Sequence, residues 1–578
     1  MKGMEWLLVP AASLSLLFSA CGSNERAQLA TAPALAPAPV RDSAHEMHGV
    51  PQTLADWARG AMLFDGLGDF HRGITTSSEE AQQFFDQGMR YLWSFNHDES
   101  TRSFAKAAEI DPMCAMCFWG IALTVGPNYN VPFMAEPRAK VAWRALQHGQ
   151  ELAPRATPVE QALIGALGKR YEGPQPLDPS NEGPVLTAYA EAMKAVAEKF
   201  SDDLDVQTMY AESMMNVNAW KLWTLDGKPA PGTNEIVATL ESVLKRNPQH
   251  PGANHYYIHT VEASPDPARA VAAAERLRGM MPAAGHLEHM PAHIMQRVGR
   301  YEEASEANRK GAEADLVYLA KTKPLDYYSF YMAHNYQFLA FSAAMEGKKT
   351  EAVKAARKSR EVVSDEMLAM MPGMDWYLSE TYSAMLRFGM WDEILAEATP
   401  NPDFKVLTGG YLYARAIALA AKGRVEEAKT VLADLEKLES QVPADAGAGL
   451  NLAKDVFSVA TLIVKARIAS AEHKTKETIS LLCEAVAKED QLAYDEPSDW
   501  FFPVRHMLGA ELLKAGKAKE AEAVYRADLK RNPNNGWALY GFAQALKAQK
   551  KSAQAAKVEK QFRKAWKNAD VTLVASAF

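Results

Sequence analysis

The sequence predicts an all-α protein, a right-handed α-solenoid of helical hairpins. Three observations carry that prediction. Apolar stretches with helical spacing alternate with proline, glycine and asparagine clusters that stop helices. Strand-like runs are essentially absent. And one chemical pattern recurs at a fixed interval: His255 lies 34 residues before His289, and His259 lies 34 residues before His293. A hydrophobic content of 48% supplies an ample core. A net charge of -8, with no basic stripe carrying interleaved aromatics, argues against a nucleic-acid partner.

Taken in order, the chain begins with a targeting segment. Lys2 is followed by an apolar run over residues 7–18 and by Ser19-Ala20-Cys21. The run is too short to span a bilayer and is set aside from the fold. These residues resemble a bacterial lipoprotein signal, residues 1–20, with lipid on Cys21. Gly22 after that cysteine implies, by the same resemblance, an outer-membrane protein facing the periplasm and held there by its lipid. Residues 21–50, rich in Ala and Pro, read as a disordered tether in which His45 and His48 are solvated. Residues 51–80 read as a leader or cap. With Cys21 lipidated, Cys114, Cys117 and Cys483 make no disulfide framework.

Residues 81–578 carry the repeats. Phe84, Gly88, Tyr91, Phe104, Ala107 and Pro112 give an aromatic, a small residue where two helices touch, a second aromatic and a helix-ending proline. This is similar to the tetratricopeptide (TPR) pattern, whose period is 34 residues. Helices follow over 136–152, 158–170, 184–200, 205–220 and 235–246. Units open at Pro251, Gly285 and Ala333. Further hairpins fall at 375–398, 411–438, 460–488, 505–531 and 536–567, the last polar enough to cap the array.

The histidines concentrate in 252–335, as HYYIHTVE, GHLEHMPAHI and AHN. In the TPR pattern, positions 2, 5, 9 and 12 of each first helix point into the concave groove. That assigns His255, His259 and Glu262 to the groove from one unit, His286, His289 and His293 from the next, and His334 from a third, with Glu212 upstream. Neutral imidazole is the commonest transition-metal ligand, and histidines four apart share a helix face. The predicted metal ligands are therefore His255, His259, His289 and His293, with Glu262, His286 and His334 completing the site, supporting it, or acting as catalytic acid or base. Zinc, copper, iron and manganese all suit such a set. The ligand number exceeds the four of tetrahedral zinc, so either two ions bind or some residues act from behind the ligands. Pro291 disturbs the register, because a helix starting only at Met290 would leave His286 and His289 on a loop.

Other features carry less. The tyrosines 256, 257, 327, 328 and 331 read as packing between hairpins. Cys114 and Cys117 read as packing at a helix start, since haem attachment would need histidine where Phe118 stands. Asn96-His97 and residues 126–130 read as polar loops. No nucleotide-binding loop, nucleophile elbow or HExxH motif is present. The ordered motifs FNHDESTRSF, DPMCAMCFWGIAL, GPNYN, HPGANHYYIHTVEAS, GHLEHMPAHI and NPNNGWALYGFAQAL resemble a group of bacterial TPR lipoproteins. That resemblance implies the repeat fold and the envelope location, and it marks Gln337 as standing where a second histidine after His334 would look natural. Two functions are open at this level. One is a metal-binding site in the groove, catalytic if the ion keeps an open position. The other is a metal-free scaffold that binds a protein or peptide in its concave face.

Overall fold

A computed structural model describes residues 51–131, 134–177, 182–322 and 328–578. The targeting segment, Cys21, the tether with His45 and His48, and Tyr327 lie outside the described residues. Within them the chain is all-α, an α-solenoid of TPR-like helical hairpins. No described helix is long and apolar enough to cross a membrane.

The first hairpin sets the construction. Ser78 caps Glu79–Trp93 by accepting from Ala81 N, and Asn96 caps His97–Ile110 by accepting from Glu99 N. Phe104 inserts between this pair and the next helix, Ala115–Thr124. A Cβ on Gly88 or on Gly120 would stand 2.5 Å from its ring, so both positions need glycine for the helices to close on it. Later elements fall close to the sequence reading: Glu136–Leu152, Leu204–Val217, Thr233–Arg246, Pro251–Val261, Ala518–Arg531 and Gly536–Ala548.

Between the units that open at Gly285 and Ala333 runs a 21-residue helix, Tyr301–Lys321. Three features differ from expectation. Two short strands, Gly447–Ala448 and Asn451–Leu452, pair antiparallel. Cys114 and Cys117 form a disulfide, with Cys114 capping the helix by accepting from Cys117 N; tertiary burial of both sulfurs side by side replaces the simple packing role read from sequence. And Pro291 does not push His286 and His289 onto a loop. Met290 keeps helical angles (φ -50°, ψ -34°), so Gly285–His289 runs directly into Pro291–Arg297. Proline removes only one donor there, and the i, i+4 relation of His289 and His293 survives.

Winding brings distant repeats together. Residues 51–80 are packed rather than loose: Arg72 pairs with Asp203 (2.9 Å) and Asp205 (2.7 Å), and Gly66 O accepts from Ala283 N (2.9 Å). Tyr318 donates to Glu99 (3.0 Å). From the C-terminal hairpins, Trp537 donates to Ala344 O (2.9 Å) and Trp376 to Asp499 O (2.7 Å).

Candidate metal centre

Backbone approach determines where the histidines sit. Gly252 starts the Pro251–Val261 helix against the Trp93 ring; a Cβ there would drive into that ring. This contact lets His255 Nδ1 donate to Trp93 O at 2.6 Å. Gly285 and Gly311 make a second close approach. A Cβ on Gly311 would stand 2.9 Å from Gly285 O and 3.1 Å from His289 Cβ. The Tyr301–Lys321 helix thereby brings Asn308 to His289, whose Nδ1 donates to Asn308 Oδ1 at 2.6 Å.

The side chains are buried, not presented on an open groove. His255, His289 and His293 are 0–1% exposed, and His259, Glu262 and His286 are buried as well; His334 is half-buried. Phe95, Tyr129, Trp220 and Tyr331 pack against their rings. This corrects the concave-surface picture: the tight winding fills the groove at this point.

Hydrogen bonds fix the imidazole tautomers. Trp93 O is an acceptor only, so His255 Nδ1 carries a proton. Asn308 spends its amide N–H on Ala304 O (2.8 Å), which turns its oxygen to His289. Glu262 accepts from His259 Nδ1 (2.8 Å) and His293 Nδ1 (2.5 Å). Four imidazoles are thus protonated on Nδ1. The Nε2 atoms of His255 and His259 make no hydrogen bond, and neither nitrogen of His286 does. The Nε2 atoms of His289 and His293 face each other at 2.6 Å. Two lone pairs repel at that distance, so the contact calls for a cation, either a proton or a metal ion. Burial holds His255, His286 and His289 neutral, well below the usual imidazole range, and lowers His259 and His334, the last to about 3. Burial acts the same way on His293, but the carboxylates of Glu262 and Glu496 outweigh it and raise that group. Glu262 in turn is held low by His293 and His259 against the upward push of burial.

The seven predicted site residues come together, but they divide. His255, His259 and His286 form one group with ligand atoms within 4.8 Å of one another; His289, His293 and His334 form a second. The predicted quartet of His255, His259, His289 and His293 therefore splits between two groups. Each group is completed by a histidine from the following unit. A third group of His259, Glu262, His293 and Glu496 links them. Glu212 stays apart, bonded by Asn216 (2.6 Å). Gln337 is buried and joins none of these groups.

One member of these groups, and one histidine beside them, escaped the sequence reading. Glu496 comes from the segment between Thr475–Glu489 and Val504–Lys514 and lies 3.2 Å from His293 Nδ1. Its signal was the run YDEPSDW, three carboxylates among aromatics, too acidic to be simple packing. Burial and the neighbouring Glu262 push Glu496 up to about 7. His97 is the other. It begins a helix rather than sitting in a loop, stacks on Phe95 with centroids 5.4 Å apart, and has both nitrogens buried without a hydrogen bond. Residues 126–130 also approach: Tyr129 lies against His259 and Asn130 donates to Tyr331. The remaining tyrosines pack, as read: Tyr256 lies against Trp93 and Phe95, Tyr257 donates to Glu241 and Tyr328 to Asp315.

No protein-family model and no curated protein matches the sequence. Among solved structures, the human IFIT1 dimer with m7Gppp-AAAA is similar at 12% identity and a TM-score of 0.34, over 89% of this chain and 98% of that one. Yeast Tom70 is similar at 13% identity and a TM-score of 0.29, over 84% and 96%. The TPR domain of P58(IPK) is similar at 12% identity and a TM-score of 0.19, over 82% and 99%. The described residues form helical hairpins, and their buried His and Glu groups could hold a metal ion.

Proposed function

We propose that this chain is a metal-binding TPR protein of the bacterial cell envelope, anchored by lipid on Cys21, whose centre holds a divalent transition ion. One observation carries the reading: four buried imidazoles commit their Nδ1 protons to protein acceptors, while the Nε2 atoms of His289 and His293 face each other and those of His255 and His259 have no hydrogen-bond partner. Acceptors behind ligands in this way raise imidazole basicity and fix ring orientation. A buried lone pair without a donor costs about 1–3 kcal/mol, so the arrangement is sensible only when a cation binds it.

His255, His259, His286, His289, His293 and His334 would supply the ligand atoms, with Glu262 orienting two of them and Glu496 alongside. A bound zinc, copper, iron or manganese ion would act as a Lewis acid or redox partner at any position the protein leaves open. Glu262 is engaged by two imidazoles and is a positioning residue. Burial disfavours the scaffold alternative at this stretch, because a peptide would have to displace Phe95, Tyr129 and Trp220. A protein partner would engage surface elsewhere on the array.

The test is metal analysis of protein purified without a histidine tag, with Zn, Cu, Fe and Mn each offered at neutral pH. Bound metal that is lost in His259→Ala/His293→Ala supports the reading; none above background refutes it. Labelling with a fatty-acid precursor, lost in Cys21→Ala, tests the anchor.

A further inference from the structure

Building on the metal-binding reading, we infer that the centre holds two ions, one in each imidazole triad, rather than one ion with surplus histidines behind it.

The two triads share no residue, and within each the three ligand atoms lie within 4.8 Å of one another. No group of mutually close ligand atoms spans both triads in full. Six imidazoles also exceed the four donors that a tetrahedral ion accepts.

The triads are also built alike. Each takes two histidines four apart on one helix, 255 with 259 and 289 with 293, and a third from the next histidine-bearing helix, 286 or 334. The sequence offsets to the third residue differ, because the long Tyr301–Lys321 helix intervenes in the second case. The spatial result is the same nonetheless.

Each triad has its own backing ring. Phe95 packs on His255, His259 and His286, with centroids 4.5, 5.6 and 5.7 Å away. Phe338 packs on His289, His293 and His334, at 5.2, 5.1 and 5.7 Å. A single-ion centre gives no reason for two separately walled cups.

The triads are also coupled. Glu262 accepts from His259 of one and His293 of the other, and Glu496 completes a group containing the same two histidines. Two buried carboxylates between the cups would offset part of the charge that two divalent ions bring. With three imidazoles each, both ions would keep room for a further ligand. Neutral nitrogen donors favour copper and zinc over manganese and iron(II).

The experiment is titration of the tag-free full-length protein with Cu(II), and separately with Zn(II), followed by removal of loose metal and determination of metal per chain by native mass spectrometry. Two equivalents are expected. His286→Gln and His334→Gln should each retain one, and the double variant none. His286 makes no hydrogen bond, so its replacement costs the fold little, and circular dichroism checks this. One equivalent in the unmodified protein overturns the two-ion proposal while leaving metal binding intact, and so does release of both ions by His286→Gln alone. No bound metal in the unmodified protein overturns both. The unmodified stoichiometry decides the matter even if a variant fails to fold.

Discussion

Replacing Glu262 with glutamine is the sharpest probe of how the centre is held. The side chain keeps its shape, so packing in this buried position is preserved. Its hydrogen bonding is not. The carboxylate accepts from His259 Nδ1 at 2.8 Å and from His293 Nδ1 at 2.5 Å. A glutamine can accept on its oxygen, but its nitrogen donates. One imidazole must therefore turn or move its proton to Nε2, and the centre loses one lone pair. Loss of such an acceptor costs about 10–100-fold in metal affinity, which is about 1.4–2.8 kcal/mol. Competition against a chromogenic chelator, with Zn(II) and Cu(II), measures it. His148→Ala serves as control, since that side chain is 54% exposed and far from the centre in its contacts. Affinity within about twofold of the unmodified protein would refute the claim that Glu262 orients two ligands.

Three other outcomes follow from the same coordinates. Gly252→Ala places a methyl against the Trp93 ring and should destabilise by about 1–3 kcal/mol, whereas Gly165→Ala, in an open helical position, should stabilise by up to about 1 kcal/mol; thermal unfolding distinguishes them. His97 is held near 3 by burial and by the charges of Arg170 and Arg138, below its ordinary 6.5, so its neutral form contributes stability that is lost as pH falls from 6.5 toward 3. His97→Phe should then gain on the unmodified protein by about 1.4 kcal/mol per pH unit of acidification in that window, read by denaturant unfolding at pH 7.5 and 5; equal differences at both would refute it. Reduction of Cys114–Cys117 should lower Tm by no more than about 2 °C, because the loop it closes is only three residues of separation.

Much of this was legible in the linear chain. Helix-stopping residues and apolar spacing gave the hairpins because both act locally: proline lacks a donor wherever it stands, and a 3.6-residue period needs no partner to be seen. The 34-residue interval placed His255 with His289 and His259 with His293 in equivalent positions. What it could not give was which histidines meet. Equivalent positions in successive units lie a helix apart, and the real neighbours of the two pairs are His286 and His334, selected by how Gly285 and Gly311 let their helices close. Nor could periodicity reveal that the groove is filled, or that Phe95 and Phe338 wall two separate cups.

The sequence by itself determined the repeat architecture, the concentration of imidazoles in one stretch, and the glycines that permit close packing there. Tertiary structure alone decided the division into two triads, the enlistment of Glu496 from a distant segment, and the tautomers of His255, His259, His289 and His293. The physical reason is the range of the forces involved. Helix formation is settled within a few residues, whereas burial, hydrogen-bond acceptors and carboxylate fields reach the centre only after the solenoid has wound back on itself.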